Sequence, residues 1–108
     1  MISKFDISGK VTVITGGAGL LGSMHAEAIA ENGGIPVLFD SNYSKAVKKT
    51  KAIQVKYNVL CLPFKGDVTK EKDINNLIKF LNKKKLTADV LINNAAVNPK
   101  LNKKNNNG

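Results

Sequence analysis

The chain has 108 residues, 43% of them apolar and only three prolines, a balance too apolar for a disordered chain and sufficient for one globular unit at most. All 17 basic residues are lysine against eight acids, a formal net charge of +9, yet the lysines are scattered along the chain without interleaved aromatics, so no nucleic-acid partner is expected. The single cysteine, Cys61, excludes an internal disulfide; MISKFDISGK holds no apolar signal core and no run approaches about 18 apolar residues, so a reduced, cytoplasmic chain without membrane contact is expected.

The first apolar run, Val11 to Thr15, reads as a strand. TGGAGLLG follows it directly, from Thr15 to Gly22, and Leu20 to Glu31 then reads as a helix stopped by Asn32-Gly33-Gly34. Strand, glycine turn and helix in this order describe a phosphate loop. Gly16 and Gly17 permit the tight turn, Gly19 the close approach of a pyrophosphate, and Gly22 the close packing of the helix on the sheet. Backbone N–H groups at Gly19, Leu20 and Leu21 then point at the negative phosphates. Lone His25, deeper in the same helix, has no acid partner in the pattern and is assigned a surface or packing role.

A second strand, Ile35 to Phe39, runs into Asp40, 18 residues after Gly22. A carboxylate there can accept both hydroxyls of an adenosine ribose and repels a 2′-phosphate, and with no arginine in the chain only Lys45 is at hand to clamp one. NAD is therefore expected, with NADP the lesser choice. Capping of the next helix is the competing role for Asp40. That helix spans Ser44 to Tyr57, with Val47, Thr50, Ile53 or Gln54, and Tyr57 on one face. A third strand, Val59 to Phe64, carries Cys61 as a small core residue and leads to Asp67-Val68. Asp67 can take the exocyclic amine of adenine and Val68 can pack on the ring, or Asp67 is a turn residue before Thr69, the expected N-cap. The third helix, Lys70 to about Lys83, sets Ile74, Leu77, Ile78 and Leu81 on one face, with Glu71 and Asp73 in its first turn. A fourth strand, Val90 to Ile92, ends in Asn93-Asn94-Ala95-Ala96, where small alanines permit ligand approach and amides can tie strand ends together.

Short strands too continuously apolar for a sheet wetted on one side, alternating with helices, predict an α/β fold. The expected form is a partial Rossmann fold: a parallel four-stranded sheet in the order 3-2-1-4 with helices on both faces. Residues 1–100 form an incomplete dinucleotide-binding domain in this reading. KLNKKNNNG, which ends the chain, leaves 101–108 as a loose polar tail.

As a set, these motifs resemble the N-terminal, nucleotide-binding part of the short-chain dehydrogenase/reductase family over residues 7 to about 100. The glycine spacing is similar to that of the extended branch, with Leu20 where the shorter-chain branch has glycine. NNAA is similar to the NNAG of the shorter-chain branch, with Ala96 in place of glycine. The resemblance implies that Gly16, Gly19, Leu20, Leu21, Gly22, Asp40, Asp67, Val68, Asn94, Ala95 and Ala96 hold the cofactor. It also implies hydride transfer between nicotinamide and a small alcohol or carbonyl substrate, and a homo-oligomer for the complete enzyme.

The proton-transfer pair of that family, a tyrosine with a lysine four residues on, is not in these 108 residues: Val47 follows Tyr43 at that distance and Cys61 follows Tyr57. No catalytic residue and no metal site are assigned. The 108 residues alone are expected to hold at most the adenosine and pyrophosphate end of NAD. A stand-alone NAD- or adenine-nucleotide-binding module without catalysis is the alternative reading, and a truncated gene a third.

Overall fold

The structure is a computed structural model, and it describes residues 7–94. Elements alternate strictly: β1 (Val11–Thr15), α1 (Leu20–Glu31), β2 (Ile35–Asp40), α2 (Tyr43–Tyr57), β3 (Leu62–Lys65), α3 (Glu71–Lys83) and β4 (Ala88–Asn93). The four strands form one parallel sheet in the order β3-β2-β1-β4. In the register, Val13 stands beside Val37 on one side and Leu91 on the other. All five residues of β1 are buried, as a central strand with helices on both faces requires.

Two apolar layers cover the faces of this sheet. On one, α1 and α2 bring Ala26, Ala30, Ala46 and Ile53 against Ile14, Leu38 and Cys61. On the other, Leu77 and Leu81 of α3 meet Val11, Val13, Val37 and Phe39. α1 faces the sheet with small residues only, which lets its axis lie close to the strands. Its stop follows the expected chemistry: Gly33 takes φ 82°, and the amides of Gly33 and Gly34 return to the carbonyls of Ala30 and Ile29 at 2.9 Å. Among the described residues no helix is long and apolar enough to cross a membrane.

Three local expectations are revised. β3 begins at Leu62 rather than Val59, because α2 ends in a left-handed Asn58 (φ 54°) and Val59 to Cys61 are spent turning the chain back to the sheet. In that turn the Cys61 carbonyl accepts the Gln54 side-chain amide at 2.5 Å. Cys61 is buried, though in this turn and not in a strand, and burial pushes its thiol pKa up to about 12. On α2 the buried stripe is Ala46, Thr50 and Ile53, with Val47 only half-buried.

Thr69 does not cap α3. Lys70 holds that position without a side-chain bond, and Thr69 donates its hydroxyl to Asp67 Oδ1 at 2.7 Å. The Asp73 carboxylate from the first turn accepts the Asp67 amide at 2.9 Å and closes the same corner from the other side.

Candidate functional site

The site lies where the strands end. After β1 the chain turns through Gly16, whose φ of 66° is in the left-handed region, and the Gly16 amide reaches across to the Phe39 carbonyl of β2 at 2.9 Å. A Cβ on Gly17 would stand 2.8 Å from the Leu38 Cα, so the turn is pressed onto β2. One on Gly22 would collide with the Gly16 carbonyl oxygen and stand 2.8 Å from the Gly17 Cα, so α1 rises directly over the turn. Gly19 differs: the nearest atom to an added Cβ is the Gly16 oxygen at 3.4 Å, so no protein packing demands glycine there.

Ser23 pins the turn from the helix side, donating to the Gly19 carbonyl at 2.6 Å. With Gly19 at the N-cap and the first return bond running from the Ser23 amide to the Gly19 carbonyl at 2.8 Å, the amides of Leu20, Leu21 and Gly22 have no protein partner among the described residues. Three unpaired N–H groups at the positive end of a 12-residue helix form an anion-attracting surface.

Beside the turn is a cleft of about 210 Å³. Thr15, Gly16, Phe39 and Asp40 line its β1 and β2 side; Ser41, Gly66, Asp67 and Val68 complete it. Gly66 is needed for its shape, since a Cβ there would run into the Phe39 ring. The cleft thus brings together Gly16, Asp40, Asp67 and Val68 from three separate stretches of sequence.

Both oxygens of the Asp40 carboxylate meet the backbone: Oδ2 accepts the Ala18 amide at 3.0 Å and Oδ1 the Asn42 amide at 2.9 Å. Helix α2 is capped not by Asp40 but by Asn42, whose side chain accepts the Lys45 amide at 3.1 Å. Asp67 has one oxygen taken by both donors of Thr69; the hydroxyl bond, then the amide bond and the nearby Lys70 charge, hold its carboxyl below the usual range.

At the end of β4 the expected tie between strand ends is present. Thr15 Oγ1 donates to Asn93 Oδ1 at 2.7 Å, and the Asn94 amide donates to the Thr15 carbonyl at 3.2 Å. The Asn94 side-chain nitrogen is buried without a partner among the described residues. Ala95 and Ala96 lie outside the described residues.

Sequence reasoning missed Thr15, Phe39, Ser41 and Gly66 as cleft walls. Only Gly66, in the run Gly-Asp-Val after a strand, carried a readable signal. Tyr57 lies away from the cleft, between the first two helices, donating to Glu27 at 2.8 Å.

The sequence pattern of the short chain dehydrogenase family matches residues 10–107. The chain belongs to this family. It is 32% identical over 97 residues to a sorbose reductase of Candida albicans, covering 90% of this chain and 34% of the relative. A diacetyl reductase of Staphylococcus epidermidis is 36% identical over 88 residues, covering 82% and 34% of the two chains. Among solved structures, L-sorbose reductase from Gluconobacter frateurii, complexed with NADPH and L-sorbose, superposes with a TM-score of 0.79 at 28% identity, over 86% of this chain and 36% of that one. The chain spans about a third of the length of the curated relatives it matches.

The fold is thus that of a nucleotide-binding oxidoreductase of the short-chain dehydrogenase family. The expected choice of NAD over NADP is corrected by this comparison, because the similar L-sorbose reductase carries NADPH. An acid at the end of β2 was read as a carboxylate that clamps a ribose and repels a phosphate; in the structure each of its oxygens accepts one backbone N–H group and keeps a further acceptor site.

Proposed function

We propose that the chain is the dinucleotide-binding part of an oxidoreductase that moves a hydride between a nicotinamide cofactor and an alcohol or carbonyl substrate. The observation that carries this reading is the glycine turn with three unpaired helix amides beside the cleft of Asp40, Asp67 and Val68, in a chain of this family. When bound, the cofactor supplies the hydride chemistry; the protein supplies position.

The residues fit such a group. The amides of Leu20, Leu21 and Gly22 would meet the pyrophosphate, and the open side of Gly19 would let it approach. Gly16 shapes the turn that aims them. Asp67 and Val68 would hold the adenine, with the second Asp67 oxygen available to the exocyclic amine. Asn94, Ala95 and Ala96 would border the path from the pyrophosphate toward the nicotinamide. For NADPH, Ser41 lines the cleft and Lys45, the lysine nearest to it in sequence, stands in the first turn of α2.

Calorimetric titration of the 108-residue chain with NADPH and with NADH tests the reading. Weak but saturable binding of both is expected, with ADP competing because the contacts are to the adenosine and pyrophosphate end. A chain that is folded by circular dichroism and takes up neither cofactor, nor ADP, overturns it.

A further inference from the structure

We propose that Ser23 is a positioning residue for the pyrophosphate: its hydroxyl holds two carbonyls of the glycine turn, so that the N–H groups at the start of α1 stay free and aimed at the ligand. The inference rests on the dinucleotide reading above and deepens it.

Helix α1 begins without the usual side-chain cap. Its N-cap is Gly19, which has no side chain to accept the first amides. A serine at that place would take one of them for itself. The serine stands instead four residues further on, where its hydroxyl donates to carbonyls: to Gly19 at 2.6 Å and, as the second acceptor for the same proton, to Gly17 at 3.3 Å. Ser23 is only 5% exposed and Gly17 is buried, so water does not take over this bond. A serine that bonds back to the carbonyl four residues before it gains its helix nothing, so the reason for it lies in the turn.

Each of the two carbonyls fixes the N–H of its own peptide, because the C=O and N–H of a planar trans peptide point in opposite directions. The Gly17 carbonyl faces Ser23, and the N–H at the other end of that peptide, on Ala18, meets Asp40 Oδ2 at 3.0 Å. The Gly19 carbonyl takes both the hydroxyl and the amide of Ser23, the latter at 2.8 Å. At the other end of that peptide is the Leu20 N–H, the first of the three amides without a partner among the described residues. Two donors on the carbonyl polarise the peptide and make its N–H a stronger donor toward an anion. With glycines at 16, 17 and 19, these peptides would rotate with little resistance if the hydroxyl were absent.

The hydroxyl thus acts on phosphate oxygens through the amides, while the cleft of Asp40, Asp67 and Val68 is lined without it. Its removal separates the phosphate end of a ligand from the adenosine end.

The test compares wild type with Ser23→Ala, which removes one oxygen and adds no atom to the turn. NMR titrations of the 108-residue chain with inorganic pyrophosphate, NADH and adenosine are expected to show the first two weakened on the order of tenfold, the worth of about one hydrogen bond, and adenosine unchanged. Amide hydrogen exchange is expected to show lost protection at Ala18 with Val13 in β1 unchanged.

Wild-type affinity for pyrophosphate in Ser23→Ala overturns the inference. Equal weakening of pyrophosphate and adenosine overturns it too, since that marks a general loosening of the fold. If wild type binds neither pyrophosphate nor NADH, the dinucleotide reading fails; unchanged exchange at Ala18 in the variant then overturns the inference as well, while lost protection there upholds the hold of the hydroxyl on the turn.

Discussion

At the scale of single residues, β1 holds an unmet polar group. Thr12 is fully buried and its hydroxyl has no hydrogen-bond partner among the described residues. It faces the same side of the sheet as Ile14, toward the alanines of α1. A buried hydroxyl without a partner costs more than the apolar group of the same shape that could replace it. Thr12→Val is therefore expected to stabilise the fold by about 1 kcal/mol, read from the urea midpoint at unchanged m-value. A lower midpoint would mean that the hydroxyl has a partner after all.

The glycines divide at this scale too. Gly17 and Gly22 are required by contacts with Leu38 and with the turn itself, whereas at Gly19 the protein leaves room. From the sequence all three are the same letter in one motif, and their separate reasons emerge only when the turn, β2 and α1 are brought together.

At the scale of elements, α1 and α2 are joined by a small polar cluster. Glu27 accepts the Tyr57 hydroxyl at 2.8 Å and the Lys56 ammonium at 3.3 Å. The Tyr57 bond, followed by the Lys56 bond, holds the Glu27 carboxyl below its ordinary value of 4.5. A carboxylate depressed in the folded state stabilises it above the unfolded pKa, and that stability is lost as pH falls through the folded pKa. The cluster is substantially exposed, so solvent screening keeps its contribution small, as for any surface pair.

Glu27→Gln is accordingly expected to narrow the difference in unfolding free energy between pH 7 and pH 3. Denaturant titrations at the two pH values check this. A variant that keeps the full wild-type difference would show that Glu27 plays no part in acid destabilisation.

Helix α3 shows how far periodicity reaches. Leu77 and Leu81 of α3 are buried as the apolar spacing predicts, while Ile78 on the same predicted face is 49% exposed. The helix turns that edge of its stripe toward a hollow of about 290 Å³ bounded by Ile74, Ile78, Val90 and Leu91, so its apolar face is wider than the sheet it meets. Asp67 was legible as a turn residue, but Thr69, read as the cap of α3, donates to Asp67 instead, and the Asp73 carboxylate reaches back to the same corner.

At the scale of the whole molecule, β4 is the outer strand of the sheet beside β1, and its Leu91 is 64% exposed. An outer strand with apolar side chains and one unpaired row of backbone groups invites pairing with another chain. Net charge of +9 opposes that contact through self-repulsion, which salt screens. The 108-residue chain is thus expected to self-associate in sedimentation velocity, more strongly at high than at low ionic strength, and Leu91→Lys to shift it toward monomer. Unaltered association of the variant would place the contact elsewhere.

The amino-acid sequence by itself determined the order of elements, the parallel sheet β3-β2-β1-β4 and the family. Those follow from local causes: continuous apolar runs, a glycine turn opening a helix, and the right-handed crossover that leaves few topologies open. It also marked Gly16, Asp40, Asp67 and Val68, which the fold gathers into one cleft. What Asp40 does with Oδ2 was decided by tertiary structure alone. Asn42, the donor to Oδ1, is two residues away, but Ala18 comes from a segment that meets Asp40 only once β1 and β2 are paired and the turn is folded over them, and a backbone N–H leaves no trace in the identity of its residue.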